Sequence, residues 1–196
     1  MTQARLLADH ESAPTETLPS VYLIDACSLL WLDGVNQEPD GANRYNPDEQ
    51  AKVWARLDDL VRHGNLKLTT DVKGELRRMG SGSAVRRLAA YSGHKVQRRT
   101  NALRVTYQQV VASHLNGNHP VVRPEWVRDP ADPWLVAYAK LYGYTIITDE
   151  LPAALHRTRS KRQKVFIPDL CGALAPPLPW FHLRDLAISL GWIVGP

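Results

Sequence analysis

Val21-Tyr22-Leu23-Ile24-Asp25 is the stretch that decides the fold. Its four apolar residues do not alternate with polar ones, which is typical of a strand buried on both faces of a parallel sheet. Residues 26–32 predict a short helix that begins with small side chains, so Asp25 falls in a strand-to-helix turn. Parallel sheets open their sites at the carboxyl ends of the strands. Asp25 is therefore either a site acid or an aspartate that caps the helix.

The same order of residues returns at 144–150, where an apolar strand ends in Asp149 and Glu150. Val165-Phe166-Ile167-Pro168, followed by Asp169, predicts another strand of this kind. A short strand is also predicted over 66–68, and apolar spacing predicts helices over 47–62, 70–76, 84–91, 96–115, 135–142 and 180–191. This order of strands and helices predicts a three-layer α/β/α fold with a central, mostly parallel sheet.

Two predicted helices carry acids whose role the sequence leaves open. Glu75 lies at the edge of an apolar stripe, so it either points at the rim of the core or pairs with Arg78, three residues further on. Asp132 precedes Pro133 at the predicted start of a helix, where N-capping alone would explain it.

Length and composition predict one globular domain. The chain has 196 residues, 44% of them hydrophobic, which is enough for a single core. Residues 1–20 show no periodicity and are predicted to be a flexible tail, so the folded domain would span 21–196. No run of about 18 apolar residues and no signal sequence occurs, which favours a cytoplasmic protein without a membrane span. Cys27 and Cys171 are predicted to be buried apolar residues.

Positive charge is concentrated in two segments. The formal net charge is only +4, but residues 76–124 contain nine Arg or Lys and no Asp or Glu, and 157–164 contain five more. Such segregation is typical of a polyanion binder, although a solvated helical face or an interface for an acidic protein would look the same. The side chains predicted to contact a nucleic-acid backbone are Arg77, Arg78, Arg86, Arg87, Arg98, Arg99, Arg157 and Arg159.

Acids at the ends of predicted strands indicate a metal site. Asp25, Asp149 and Asp169 would emerge along one edge of a parallel sheet, and the helices that begin near 70 and 132 could face that edge. Carboxylates gathered in this way repel one another unless a cation neutralises them. Oxygen ligands select hard ions, so Mg²⁺ or Mn²⁺ is expected. Two such ions can activate water and stabilise the departing oxygen of a phosphodiester.

A resemblance to a known family rests on several segments taken together in chain order: 22–25, 72–76, 132–139, 146–150 and 167–171. The set resembles the PIN-domain nucleases, and most of all a VapC-like toxin branch long described only as a domain of unknown function. The resemblance spans about Val21 to Trp192. It implies a cytoplasmic endoribonuclease that leaves a 5′-phosphate and a 3′-hydroxyl on its RNA substrate. An antitoxin that covers or invades the acidic cleft, of helix-turn-helix type, and a homodimer are further expectations.

The same resemblance implies the roles of individual residues. The residues expected to be catalytic and to bind one or two Mg²⁺ or Mn²⁺ ions are Asp25, Glu75, Asp132 and Asp149. Secondary contacts are expected from Ser28, Thr148, Glu150 and Asp169. The histidines match no catalytic pattern and are predicted to be surface or hydrogen-bonded residues.

One departure from the family keeps a second function open. Many relatives have Thr-Ser after the first Asp, where this chain has Ala26-Cys27, and Ser28 is then the substitute hydroxyl. The alternative is an RNA-binding or regulatory protein with the same fold and little or no catalysis. Phosphotransfer through Asp25 as a nucleophile is disfavoured, because enzymes of that class generally carry a second Asp where this chain has Cys27.

Overall fold

The structure, a computed structural model, describes residues 21–37, 43–79, 84, 86–87, 99–115, 131–156 and 165–195. The strands are β1 (Tyr22–Ile24), β2 (Leu66–Lys67), β3 (Thr145–Ile147) and β4 (Trp180–Phe181). The helices are α1 (Ala26–Leu32), α2 (Pro47–Arg62), α3 (Thr70–Arg78), α4 (Asn101–Leu115), α5 (Ala131–Tyr142), α6 (Ile167–Ala173) and α7 (Leu183–Ser189). All four strands are parallel, in the order β2-β1-β3-β4. The predicted three-layer α/β/α fold is confirmed.

Pairing between β1 and β3 positions the sheet edge that carries the acids. Tyr22 aligns with Thr145 and Ile24 with Ile147, and both strands are buried along their whole length. The Asp25 N–H then donates to the Ile147 carbonyl at 2.9 Å, so the pairing continues one residue past β1. Because the strands are parallel, Asp25 and the residues that follow β3 leave the sheet at the same edge.

Local capping explains why α2 and α3 begin where they do. Asn46 and the Glu49 side chain form a capping box at the start of α2, as each accepts a backbone N–H of the other. The Thr69 hydroxyl accepts the Val72 N–H at 3.2 Å and caps α3. These caps agree with the predicted helix starts, and the bounds predicted for α2 are confirmed.

The strand predicted at 165–168 is wrong. Residues 165–166 have no regular structure, and α6 begins at Ile167, with Pro168 in a first turn that needs no N–H from it. Asp169 therefore does not end a strand. Its carboxylate accepts the N–H groups of Phe166 at 2.9 Å and Ala153 at 3.0 Å, which ties the start of α6 to a neighbouring segment.

Two helix predictions are wrong at their starts. The fourth strand occupies Trp180–Phe181, where the final helix was expected, and α7 begins only at Leu183. Residues 99–100 are not helical, so α4 begins at Asn101 rather than at 96. At the final helix, Trp180 packs partly on the core from a strand and was counted as part of a helical stripe.

α5 begins at Ala131, one residue earlier than the predicted capping position of Asp132. Asp132 lies inside the first turn, so the interpretation of Asp132 as the N-cap is wrong. Two other predictions lie outside the described residues: the tail 1–20, and the helix 84–91 apart from Ala84, Arg86 and Arg87, which are helical.

Cys171 is buried, as predicted, and Trp54 of α2 belongs to the same core with 3% exposure. Cys27 is only partly buried, so the prediction for that residue is wrong. Among the helices that the structure describes, none has both the length and the apolar character needed to cross a membrane.

Asp169→Asn is expected to lower the free energy of unfolding by about 1–2 kcal/mol, because the change weakens the acceptor of two backbone N–H groups. Chemical denaturation measures the change. Asp48→Asn is the matched control, since Asp48 is exposed in the first turn of α2. Equal stability of the Asp169→Asn variant and the wild type would show that Asp169 does not hold α6 in place.

Candidate metal centre

Three carboxylates from distant parts of the sequence converge at the carboxyl edge of the sheet. Asp25 follows β1, Glu75 lies on α3 and Asp132 on α5, and one oxygen from each lies within 4.8 Å of the other two. Asp25 is buried, whereas Glu75 and Asp132 are partly exposed. The group is therefore open on one side, and its three oxygens are close enough together to share a hard cation.

Asp25 is held by a side chain rather than by the helix that it precedes. Its carboxylate forms no capping hydrogen bond with α1, although the Ala26 N–H lies near enough to lower its pKa. Instead, the Thr148 hydroxyl, at the end of β3, donates to Asp25 Oδ2 at 3.1 Å. The alternative of a helix-capping aspartate is therefore not supported.

Both interpretations of Glu75 are found in the structure: it points towards the other acids and it lies near Arg78. Val72 and Leu76 are buried and fix the orientation of α3, which turns Glu75 towards Asp25 and Asp132. Its Oε1 also lies 3.9 Å from Arg78 Nη2, but Arg78 is largely exposed and a pair of this kind contributes little.

Mutual repulsion and burial both oppose ionisation of the three acids. Burial, followed by the charges of Asp132 and Glu75, raises the pKa of Asp25 to about 8. Burial and Asp132 raise the pKa of Glu75 to about 7, and burial raises that of Asp132 to about 6. A divalent cation would remove this penalty, so the donor set fits Mg²⁺ or Mn²⁺.

Glu150 belongs to the same electrostatic group. Burial, followed by the charges of Asp132 and Asp25, raises its pKa well above the usual range. The Ile167 N–H donates to Glu150 Oε2 at 2.9 Å and fixes the side chain from α6. The sequence assigned Glu150 only a secondary contact, yet the charges of Asp132, Asp25 and Glu75 all raise its pKa. None of these three is among the causes of the pKa shift of Asp149.

Asp149 lies outside the group of three and is paired with a cation of its own. Arg44 Nη1 lies 3.2 Å from Asp149 Oδ1, and His182 Nδ1 lies 3.8 Å from the same oxygen. Asp149 Oδ2 is buried and forms no well-shaped hydrogen bond with the described residues. Burial raises the pKa of Asp149, whereas Arg44 and the nearby Ser28 hydroxyl lower it. The predicted quartet is thus divided between two environments.

A hollow of about 510 Å³ opens beside Asp149, and its walls include Arg44, His182 and Arg184. Sequence reasoning missed Arg44, because it lies in a loop rich in Asn, Gly and Pro, and it missed His182, because no catalytic pattern includes that residue. Only their charge could have drawn attention to them. Nothing in the sequence indicates that either residue meets Asp149.

The remaining secondary residues have distinct roles. Ser28 is buried beside Asp149, and Thr148 holds Asp25. Asp169 is engaged by the backbone N–H groups of Phe166 and Ala153, which leaves it with a structural part in the fold.

The predicted nucleic-acid-binding arginines that the structure describes are exposed: Arg77, Arg78, Arg86, Arg87 and Arg99. Arg87 lies 3.8 Å from Asp58 and stacks over Trp54, and Arg99 pairs with Asp71 at 2.9 Å. Arg98, Arg157 and Arg159 lie outside the described residues. The exposed group borders the acidic centre at Arg78, the neighbour of Glu75.

Metal-free protein is expected to lose stability as pH rises from about 4 to about 8. The pKa of Asp25 is higher in the folded chain than its ordinary 3.8, so across this range the folded state holds a proton that the unfolded state has released. Asp25→Asn removes that charge and should raise the melting temperature at pH 8 by about 5 °C, with little change at pH 4. Thermal unfolding in a chelator measures both effects.

Mg²⁺ or Mn²⁺ should then raise the melting temperature of the wild type at pH 8 and leave that of Asp25→Asn unchanged. Asp59→Asn, on the exposed face of α2, is the control for a lost surface charge. An Asp25→Asn variant that is less stable than the wild type at pH 8 without metal would contradict the repulsion among the three acids.

The chain matches a protein family over most of its length. The family model described as a domain of unknown function, DUF4411, matches residues 22–186. Its span includes all four acids of the predicted quartet. No curated protein and no solved structure matches the chain. Because the match covers most of its length, the chain belongs to the DUF4411 family.

Proposed function

We propose that the chain is a divalent-metal-dependent endoribonuclease of the PIN type. The observation that carries the proposal is the convergence of Asp25, Glu75 and Asp132 within 4.8 Å at the carboxyl edge of a parallel sheet. Each acid comes from a different element, and their pKa values are raised together. Perturbed carboxyls grouped at the open end of a sheet are typical of a catalytic metal site.

Asp25, Glu75 and Asp132 would hold the ion, and Thr148 would keep Asp25 in its ligating orientation. A bound Mg²⁺ or Mn²⁺ supplies positive charge beside the phosphate and makes water a better nucleophile. In the reaction, the oxygen of water bonds to phosphorus and the bond to the 3′ oxygen breaks, which leaves a 5′-phosphate. Glu150 would accept the proton of the water, and the departing 3′ oxygen gains a proton to form the hydroxyl.

RNA would reach this centre across the exposed arginines of α3 and of residues 86–87. Arginine side chains contact phosphate groups without regard to base, so they would position the backbone rather than choose the sequence. Arg78, beside Glu75, would lie nearest the cleaved bond.

The toxin role extends the proposal and is supported by the resemblance of the motifs to VapC-like toxins. Under this proposal an antitoxin protein, of helix-turn-helix type, restrains the enzyme in the cytoplasm by covering the acidic cleft. A homodimer likewise stays a prediction of the sequence.

A second candidate is an RNA-binding or regulatory protein that has lost catalysis. One observation favours it: Cys27 lies near the charges of Asp25, Glu150 and Asp149, where many relatives of the resembled family carry a hydroxyl. Strongly salt-dependent RNA binding without turnover in Mn²⁺ would support this candidate.

Asp25→Asn is expected to lower the rate of RNA cleavage in Mn²⁺ by at least about 100-fold, because the metal loses its most buried ligand. A time course with labelled RNA measures the rate, and induced expression measures the accompanying relief of growth arrest. The matched control, Asp59→Asn, should cleave as the wild type does. Full cleavage by the Asp25→Asn variant would remove the acidic centre from the proposed reaction.

RNA binding is tested separately in the Asp25→Asn background, which prevents turnover. Replacing both Arg77 and Arg86 with Ala should weaken binding several-fold and reduce the slope of log affinity against log salt by about 1.4 for single-stranded RNA. Fluorescence anisotropy at several salt concentrations gives the slope. The control replaces Arg62, which pairs with Asp59 on α2. An unchanged slope would place the RNA on another face.

A further inference from the structure

We propose that Arg44 acts as a built-in cation on Asp149, so that the centre takes one divalent ion, held by Asp25, Glu75 and Asp132, and not two. This inference rests on the proposed function and makes it more specific. It assigns a positioning role to Arg44, a residue that the motifs of the sequence do not include.

Arg44 supplies the positive charge beside Asp149 that a second metal ion would otherwise supply. Arg44 Nη1 lies 3.2 Å from Asp149 Oδ1, and the Asp149 side chain is only 1% exposed. A buried carboxylate requires a counter-charge, because its desolvation is costly. Arg44 provides that charge permanently, since its guanidinium stays protonated at any physiological pH.

Arg44 is held in place from several directions. Its guanidinium carbon lies 3.9 Å from the centre of the Trp31 ring, on α1. Its backbone carbonyl accepts an N–H of Arg184 at 2.8 Å, and Arg184 in turn binds both carboxylate oxygens of Glu49 at 3.0 and 3.2 Å. Glu49 belongs to the capping box of α2. The Arg44 side chain is 25% exposed, against 64% for the surface residue Arg62.

Asp149 is adjacent to the three-acid group yet separate from it. Thr148 stands between them, since its hydroxyl donates to Asp25 while its carbonyl lies 3.0 Å from His182 Nδ1. His182 Nδ1 also lies 3.8 Å from Asp149 Oδ1, and Asp149 is not part of the group of acids whose oxygens lie within 4.8 Å of one another. Two neighbouring subsites result: one suited to a metal ion and one already neutralised by Arg44.

The test counts Mn²⁺ ions bound by the full chain, with the free ion measured by electron paramagnetic resonance. The wild type should bind one ion. Arg44→Gln keeps a polar side chain but removes the charge and the guanidinium group that lies over Trp31, so a second, weaker ion should appear. Adding Asp149→Asn to Arg44→Gln should return the count to one. Arg44→Lys, which keeps the charge, and the surface control Arg62→Gln should each bind one ion.

Each outcome is decisive, with folding of every variant checked by circular dichroism. Two ions on the wild type, or one ion on a folded Arg44→Gln variant, would overturn the role of Arg44 and leave the nuclease proposal standing. Should Arg44→Gln fail to fold, Arg44→Met, which also removes the charge, takes its place in the count and should likewise bind a second ion. No bound ion on the folded wild type would instead overturn the proposed function, and the role of Arg44 with it.

Discussion

Parallel pairing between β1 and β3 is the constraint on which the rest of the site depends. The Asp25 N–H donates to the Ile147 carbonyl, and this bond fixes where the chain turns from strand to helix. One residue after Ile147, the Thr148 hydroxyl meets the Asp25 carboxylate. A shift of register by one residue would move Thr148 to the other face of the sheet and leave Asp25 without its partner. Backbone pairing thus positions the hydroxyl that holds the Asp25 carboxylate.

The second constraint is electrostatic, because the fold brings together several carboxyl groups that repel one another when ionised. Asp25, Glu75, Asp132 and Glu150 raise one another's pKa values or have them raised by burial. Asp149 differs from these acids, because Arg44 of the same chain lies beside it and supplies a positive charge. The contrast between three grouped acids with the exposed Arg78 nearby and a buried acid paired with Arg44 supports the proposal of a single divalent ion.

Much of the fold could be predicted from local sequence, and the departures have physical causes. The strand at 22–24 is an unbroken apolar run, and α2 has apolar residues at helical spacing behind a clear capping residue, so both patterns agree with their surroundings. Residues 165–168 are apolar enough for a strand, but Pro168 suits the first turn of a helix and Asp169 caps it. Spacing alone left the roles of Glu75 and Asp132 open, and the family resemblance implied that they share a metal site with Asp25. The packing of α3 and α5 brings the three side chains together. The role of Arg44 could not be predicted, because its partner Asp149 is 105 residues away and no local pattern links the two.

The most direct test of the central claim is the position of Mn²⁺ in crystals of the wild-type chain, located from its anomalous scattering. One ion is expected, with a carboxylate oxygen of Asp25, of Glu75 and of Asp132 among its ligands and with Arg44 still against Asp149. Occupied density elsewhere on the chain, or no ion at a concentration that supports RNA cleavage, would contradict it.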